Sequence, residues 1–148
     1  MPCLSTRGFL HVASETFNIP VFGLTDWNPY GYNIMLTYAH GGREMLEGYH
    51  FAVPSLRILG LRFEHIERLN HNIYTYFQPI TDQDRSLAHG ISLRYSDSQT
   101  ANLVEEMNHM VRVGYKLELE ILNNLEGRSS TYLADEWIFD ILVQCGII

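Results

Sequence analysis

The residues best suited to chemistry lie in VFGLTDWNPYG, residues 21–31, where a short apolar run meets Asp26 and, two residues on, Asn28. A carboxylate just past the end of a buried parallel strand sits where open α/β sheets bind ligands. There it can hold Mg²⁺, a hard ion that takes oxygen ligands and keeps several waters. A single acid is a poor cage, and Asn28 offers only a neutral carbonyl oxygen. The same two side chains have a second reading: they satisfy the backbone amides that open the following helix. Both readings stand on the residues alone.

Other constellations carry less. Glu106-Met-Asn-His109 has the Glu-x-x-His spacing of di-iron bundles, but its counterpart Glu47-Gly-Tyr-His50 contains a glycine and leads into a strand pattern. Gly41-Gly42-Arg43 reads as a helix stop rather than a phosphate loop. No Walker A, Rossmann glycine pattern, HExxH or Gly-x-Ser-x-Gly elbow is present. None of the nine tyrosines sits in a recognisable base-plus-orienter setting.

The elements that must position Asp26 follow from periodicity. Residues 6–17 read as an amphipathic helix capped by Ser5 or Thr6 and stopped by Asn18 and Pro20. Residues 21–25 read as a buried parallel strand. Asn28 at an N-cap and Pro29 at the first helical position predict a helix to about Tyr38, ended by Gly41-Gly42. Residues 50–61 predict one or two short strands interrupted at Pro54, and RFEHIERL a short helix. Thr81 caps a further helix whose first turn holds Asp82 and Asp84. Residues 100–125 form the longest helical period, with Leu103, Met107, Met110, Gly114, Leu117, Ile121 and Leu125 on one face, a core stripe or a dimer face. A last helix over about 131–143 presents Tyr132, Trp137, Ile138 and Ile141. The helix–strand–helix–strand order implies an α/β fold with a parallel sheet. Two strands make a poor sheet on their own, so the chain reads as a piece of something larger.

Composition sets bounds. A chain of 148 residues, 46% hydrophobic and 18% charged, is long enough for one domain with a real core. Its two cysteines, Cys3 and Cys145, stand at opposite ends without metal spacing, which argues against a disulfide framework and a zinc ribbon. The net charge of −7 is concentrated in residues 71–148, which carry −6 of it. Nine of the ten basic residues are arginine, the side chain suited to bidentate phosphate contacts.

These residues also carry a resemblance. LSTRGFLHVASETFNIPVFGLTDWNPYGYNIMLTYAHGG closely resembles the Toprim domain of the meiotic double-strand-break transesterase, the eukaryotic relative of the topoisomerase VI A subunit. The likeness continues through FAVPSLRILGLRFEHIERLN and PITDQDRSLAHGI, and more weakly through KLELEILNNL and STYLADEWIFDIL. It therefore spans nearly the whole chain. It implies a short parallel sheet flanked by helices, with an acidic cluster that binds Mg²⁺ at the strand ends. The family pattern is an earlier Glu, then Asp-x-Asp followed by Pro and Gly. Asp26 matches the first Asp, Asn28 stands in place of the second, and Pro29 and Gly31 match the turn.

The resemblance further implies a tyrosine nucleophile on an upstream winged-helix domain. It also implies double-stranded DNA as substrate, a homodimer of the full-length protein, an ATP-binding B-type partner, and action in the nucleus during meiosis. The earlier Glu and the tyrosine are expected before Met1, because Pro2, Thr6 and Arg7 match the middle of a family motif. This chain lacks its first strand on that reading and is not cleavage-competent by itself. Asp26 and Asn28 are then the expected metal ligands, and Arg7, Arg43, Arg57 and Arg62 the expected phosphate contacts. The rival expectation is a non-catalytic binding or dimerisation module, or a decayed remnant, with the stripe from Met107 to Leu125 as the partner surface.

Overall fold

A parallel strand pair, β1 (Phe22–Leu24) and β2 (Arg57–Gly60), forms the frame on which the site is hung. The computed structural model describes residues 3–41, 50–68, 71–95, 100–121, 138–144 and 146. Phe22 pairs with Arg57, Gly23 with Ile58 and Leu24 with Gly60, with an irregular step between Gly23 and Leu24. Pairing extends past the strands: the Thr25 amide donates to the Gly60 carbonyl (2.9 Å) and the Leu61 amide to the Thr25 carbonyl (2.8 Å). Gly23 packs closely on α2: a Cβ there would displace the thioether end of Met35.

Helices surround the pair: α1 (Leu4–Phe17), α2 (Pro29–His40), α3 (Phe63–Arg68), α4 (Asp82–Arg94), α5 (Ala101–Val113) and α6 (Ile138–Gln144). A 3₁₀ turn, His71–Tyr76, leads to β3 (Gln78–Pro79), which pairs antiparallel with β4 (Tyr115–Lys116). Helices α2, α4 and α5 pack on one another. Between them lies a core of Trp27, Tyr32, Leu36, Leu61, Ile91, Met107, Met110 and Leu117, each at most 1% exposed. Fully burying such side chains stabilises by about 1.5–3 kcal/mol apiece before entropy is counted.

The expected α/β order holds, and so does the cap of α2. Asn28 is the N-cap, its Oδ1 accepts from the Gly31 amide (2.7 Å), and Pro29 occupies the first helical position. The helix runs to His40, two residues beyond expectation, and stops at Gly41 with φ 88°. Helix α4 carries a full capping box: Thr81 Oγ1 accepts from the Asp84 amide (3.1 Å) while Asp84 Oδ2 accepts from the Thr81 amide (2.9 Å).

Three expectations are corrected. Helix α1 begins at Leu4 with Cys3 at the cap and no side-chain cap bond, so neither Ser5 nor Thr6 caps it. Of the one or two strands expected over 50–61 one forms, and Pro54 precedes it by three residues instead of interrupting it. The long helix over 100–125 does not exist as one element: Gly114 adopts φ 83°, its amide closes on Met110, and the chain turns into β4. Leu117 and Ile121 are buried, but from the returning segment rather than from the helix face, while Leu125 lies outside the described residues. The stripe is core: Met107 and Met110 are fully enclosed. Of the last predicted helix, residues 138–144 are helical, and Tyr132 and Trp137 lie outside the described residues.

The return strand is locked by charge. The Lys116 ammonium reaches the fully buried Asp84 at 2.8 Å. Burial alone would raise the Asp84 carboxyl, but Lys116 and the Thr81 hydrogen bonds outweigh it and hold its pKa below the usual aspartate range. A depressed folded-state pKa means the contribution is whole above the unfolded carboxylate pKa and is lost as pH falls toward the folded one. Lys116→Met strands the buried carboxylate, so a loss of about 3 kcal/mol is expected in urea unfolding at pH 7. The deficit should shrink as the pH is lowered through the carboxylate range; a pH-independent deficit would contradict the ion-pair account.

Candidate metal centre and its family

The site is assembled by a backbone bridge. The Trp27 amide donates to the Leu117 carbonyl (2.9 Å) and the Leu117 amide to the Trp27 carbonyl (3.0 Å). With Trp27 and Leu117 both turned into the core, their neighbours face the other way. Asp26 and Asn28 come from one side of the bridge, Glu118 and Glu120 from the other. The carboxylates of Asp26, Glu118 and Glu120 present oxygens that all lie within 4.8 Å of one another. Asp26 and Glu118 are half-buried and Glu120 is exposed.

Hydrogen bonds fix the cluster's orientation. Asp26 Oδ1 accepts from the Leu119 amide at 2.8 Å. The Asn28 side-chain amide donates to Asp26 Oδ2 and to Glu118 Oε1, both at 3.5 Å, while its oxygen is held by the Gly31 amide. Which end of the Asn28 amide is oxygen follows from that last bond, since a backbone N–H needs an acceptor. The neutral side chain therefore bridges two carboxylates with its N–H groups and caps the helix with its oxygen. Gly31 must approach closely: a Cβ there would lie 2.5 Å from the Asp26 carbonyl oxygen and 3.1 Å from the Thr25 side chain.

Charge is concentrated here without a compensating cation among the described contacts. Partial burial and then the neighbouring Asp26 charge raise the Glu118 pKa above the usual glutamate range, with Asn28 pulling the other way. Three hard oxygen donors at this spacing suit a divalent cation of the Mg²⁺ or Ca²⁺ kind better than a soft metal.

The arginines do not converge. Arg7 is buried at 1% exposure. Arg57 is exposed at the start of β2 and Arg62 lies just past its other end. Arg43 lies outside the described residues. Glu118 and Glu120 were missed because residues 100–125 read as one helix. The signal was nevertheless present: Gly114 is a helix stop, and Lys116-Leu117-Glu118-Leu119-Glu120 alternates with period two, as a strand does.

A parallel strand pair flanked by helices, with acids gathered where β1 ends, defines a Toprim-like domain. The family model for the Toprim domain of Spo11 and the topoisomerase 6 A-type chain matches residues 1–141, and the chain belongs to that family. It is 35% identical over 123 residues to meiotic recombination protein SPO11-2 of Oryza sativa subsp. indica, covering 82% of this chain and 30% of the relative. It is 33% identical over 135 residues to meiotic recombination protein SPO11 of Mus musculus and of Homo sapiens, covering 90% of this chain and 33% of each relative. The chain thus spans about a third of the length of the curated relatives it matches.

Two outcomes test this geometry. Without added metal at pH 7, Glu118→Gln relieves like-charge repulsion and should gain up to about 1 kcal/mol in urea unfolding, the value being small because the group is partly solvated. Gly31→Ala pushes α2 off the Asp26 turn and should cost about 1–3 kcal/mol; an unchanged melting curve would show that the close approach is not required.

Proposed function

We propose that this chain is the Mg²⁺-binding Toprim portion of a DNA-cleaving protein, one that makes meiotic double-strand breaks by tyrosyl transesterification. The observation that carries this reading is the three-carboxylate cluster beside the Asp26 turn, in a chain of this family. Asp26 is the central ligand, with Glu118 and Glu120 completing an oxygen-rich set. Asn28 orients Asp26 and Glu118 by donating to both, and reaches the ion directly or through a water only with the oxygen that also caps the helix. Bound Mg²⁺ supplies positive charge against phosphate oxygens as the reaction proceeds.

The rest of the activity belongs to the longer protein. The nucleophile is a tyrosine on an upstream winged-helix domain, which attacks a phosphate of double-stranded DNA and becomes linked to the 5′ end. Two copies cut one strand each, so a homodimer and an ATP-binding B-type partner form the working assembly. Its place is the nucleus, where the chromosomal DNA is; the relatives are named for meiotic recombination. Tyr32 is unsuited to be the nucleophile: its hydroxyl donates to the Leu61 carbonyl (3.1 Å), and burial together with Glu106 raises its pKa far above that of a free phenol. Among the expected phosphate contacts, Arg62 follows the carboxyl end of β2 by two residues, whereas Arg57 opens that strand. None of the described helices is long and apolar enough to cross a membrane. Of the partner surface that the rival module reading expects, Met107, Met110, Leu117 and Ile121 are buried within the chain, which favours the metal-binding reading.

Mg²⁺ titration by calorimetry tests the metal assignment. Wild type should bind, Asp26→Ala should lose at least tenfold in affinity, and Asn28→Asp should tighten binding by restoring a second acid in the turn. Because the Glu118 pKa is raised, affinity should climb as pH rises through that range and binding should release protons. Equal binding by wild type and Asp26→Ala would remove the metal centre.

A further inference from the structure

The carboxylate cluster is built in two halves, and a second tie joins them. One half is the turn that carries Asp26, the other the segment after α5 that carries Glu118 and Glu120. The backbone bridge from Trp27 to Leu117 is the first tie. The second is a side-chain bond: Trp27 Nε1 donates to Glu106 Oε1 at 3.2 Å. It runs from the residue between Asp26 and Asn28 to the middle of α5, five turns of sequence before the returning acids in neither register nor face. Trp27 is fully buried and Glu106 half-buried, so water competes poorly for this bond. An N–H donating to a carboxylate is also stronger than one donating to a neutral acceptor.

Glu106 is itself fixed. The same Oε1 accepts from the Phe63 amide at 2.7 Å. That amide opens α3, so one carboxylate oxygen satisfies a helix terminus and anchors the Trp27 ring. One turn along α5, His109 lies edge-on to the Phe63 ring with centroids 4.5 Å apart, and Phe63 packs in turn on Trp27 at 5.6 Å. The Glu-x-x-His spacing seen in the sequence thus places both side chains on the start of α3. Glu106 stands outside the group formed by Asp26, Glu118 and Glu120. Without its acceptor the buried indole N–H is left unsatisfied, and the ring must shift to find another partner. Such a shift moves the backbone on either side of Trp27, where Asp26 Oδ1 meets the Leu119 amide at 2.8 Å.

Taking the cluster to hold Mg²⁺ as above, we propose that Glu106 is a positioning residue of the metal centre. It touches no ion. It holds the Trp27 ring against α5, and so keeps the Asp26 half of the cluster in register with the Glu118 and Glu120 half. What matters is the oxygen acceptor at this place, not the negative charge.

Mg²⁺ titration of the full chain by calorimetry tests this, at a temperature where urea melts show every variant folded. Glu106→Ala removes the acceptor and should weaken binding about tenfold, while Glu106→Gln keeps an acceptor and should stay within about twofold of wild type. Ile91→Val, a core change in α4, should lower stability yet leave the affinity unchanged. Trp27→Phe combined with Glu106→Ala should lose no more than the larger of the two single losses. The Trp27 Nε1–H resonance, identified by its absence in Trp27→Phe, should move upfield in Glu106→Ala before any metal is added, and stay in place in Glu106→Gln. Wild-type affinity in Glu106→Ala, with that resonance moved, would overturn the positioning role and leave the metal centre standing. Equal losses in Glu106→Gln and Glu106→Ala would overturn it too, by assigning the effect to charge. Wild type that binds no Mg²⁺ would remove the metal centre and this role together.

Discussion

Two hydrogen bonds between Trp27 and Leu117 hold the architecture together. They join the turn after β1 to the segment after α5, across about ninety residues of sequence. Each partner buries its own side chain, so the bridge is anchored in the core by packing as well as by the backbone. From that fixed point the flanking residues have no choice of direction. In extended chain, alternate side chains point to opposite faces, and a buried pair forces its neighbours outward together. The acids meet because two apolar residues are pinned back to back.

That dependence explains what could be read in the sequence. The Asp26 turn was legible because everything that shapes it is local: a short apolar run, an Asn cap, Pro at the first helical position and a glycine where the chain crowds itself. The capping box at Thr81 and the stop at Gly41 were legible for the same reason. Glu118 and Glu120 were not. Their role depends on which strand Leu117 pairs with, and that pairing is long-range. Locally, Met107, Met110, Leu117 and Ile121 fall at helical spacing and are all buried, so the wrong element predicted the right burial. Gly114 was the residue that separated the two readings, through a backbone conformation that periodicity does not register.

Asn28 also changes meaning once its contacts are known. Considered alone it offers only a neutral oxygen beside Asp26. In place, its N–H groups face Asp26 and Glu118, and an amide donor between two acids lowers their mutual repulsion. The same side chain serves the helix below with its oxygen. A carboxylate at this position could accept the Gly31 amide equally well but could not donate to either neighbour. Asparagine thus settles the acidic cluster while adding no charge to it.

The short run from Gly114 to Glu118 has one more consequence. Only four residues separate the end of α5 at Val113 from Glu118, and the last of them, Leu117, is pinned to Trp27. A deletion or insertion of one residue there would not merely shorten or lengthen a loop. It would exchange the faces of Leu117 and Glu118, sending a leucine into the acidic cluster and a glutamate into the core. This stretch should be among the least tolerant of length change in the chain, even though it contains hardly any regular structure.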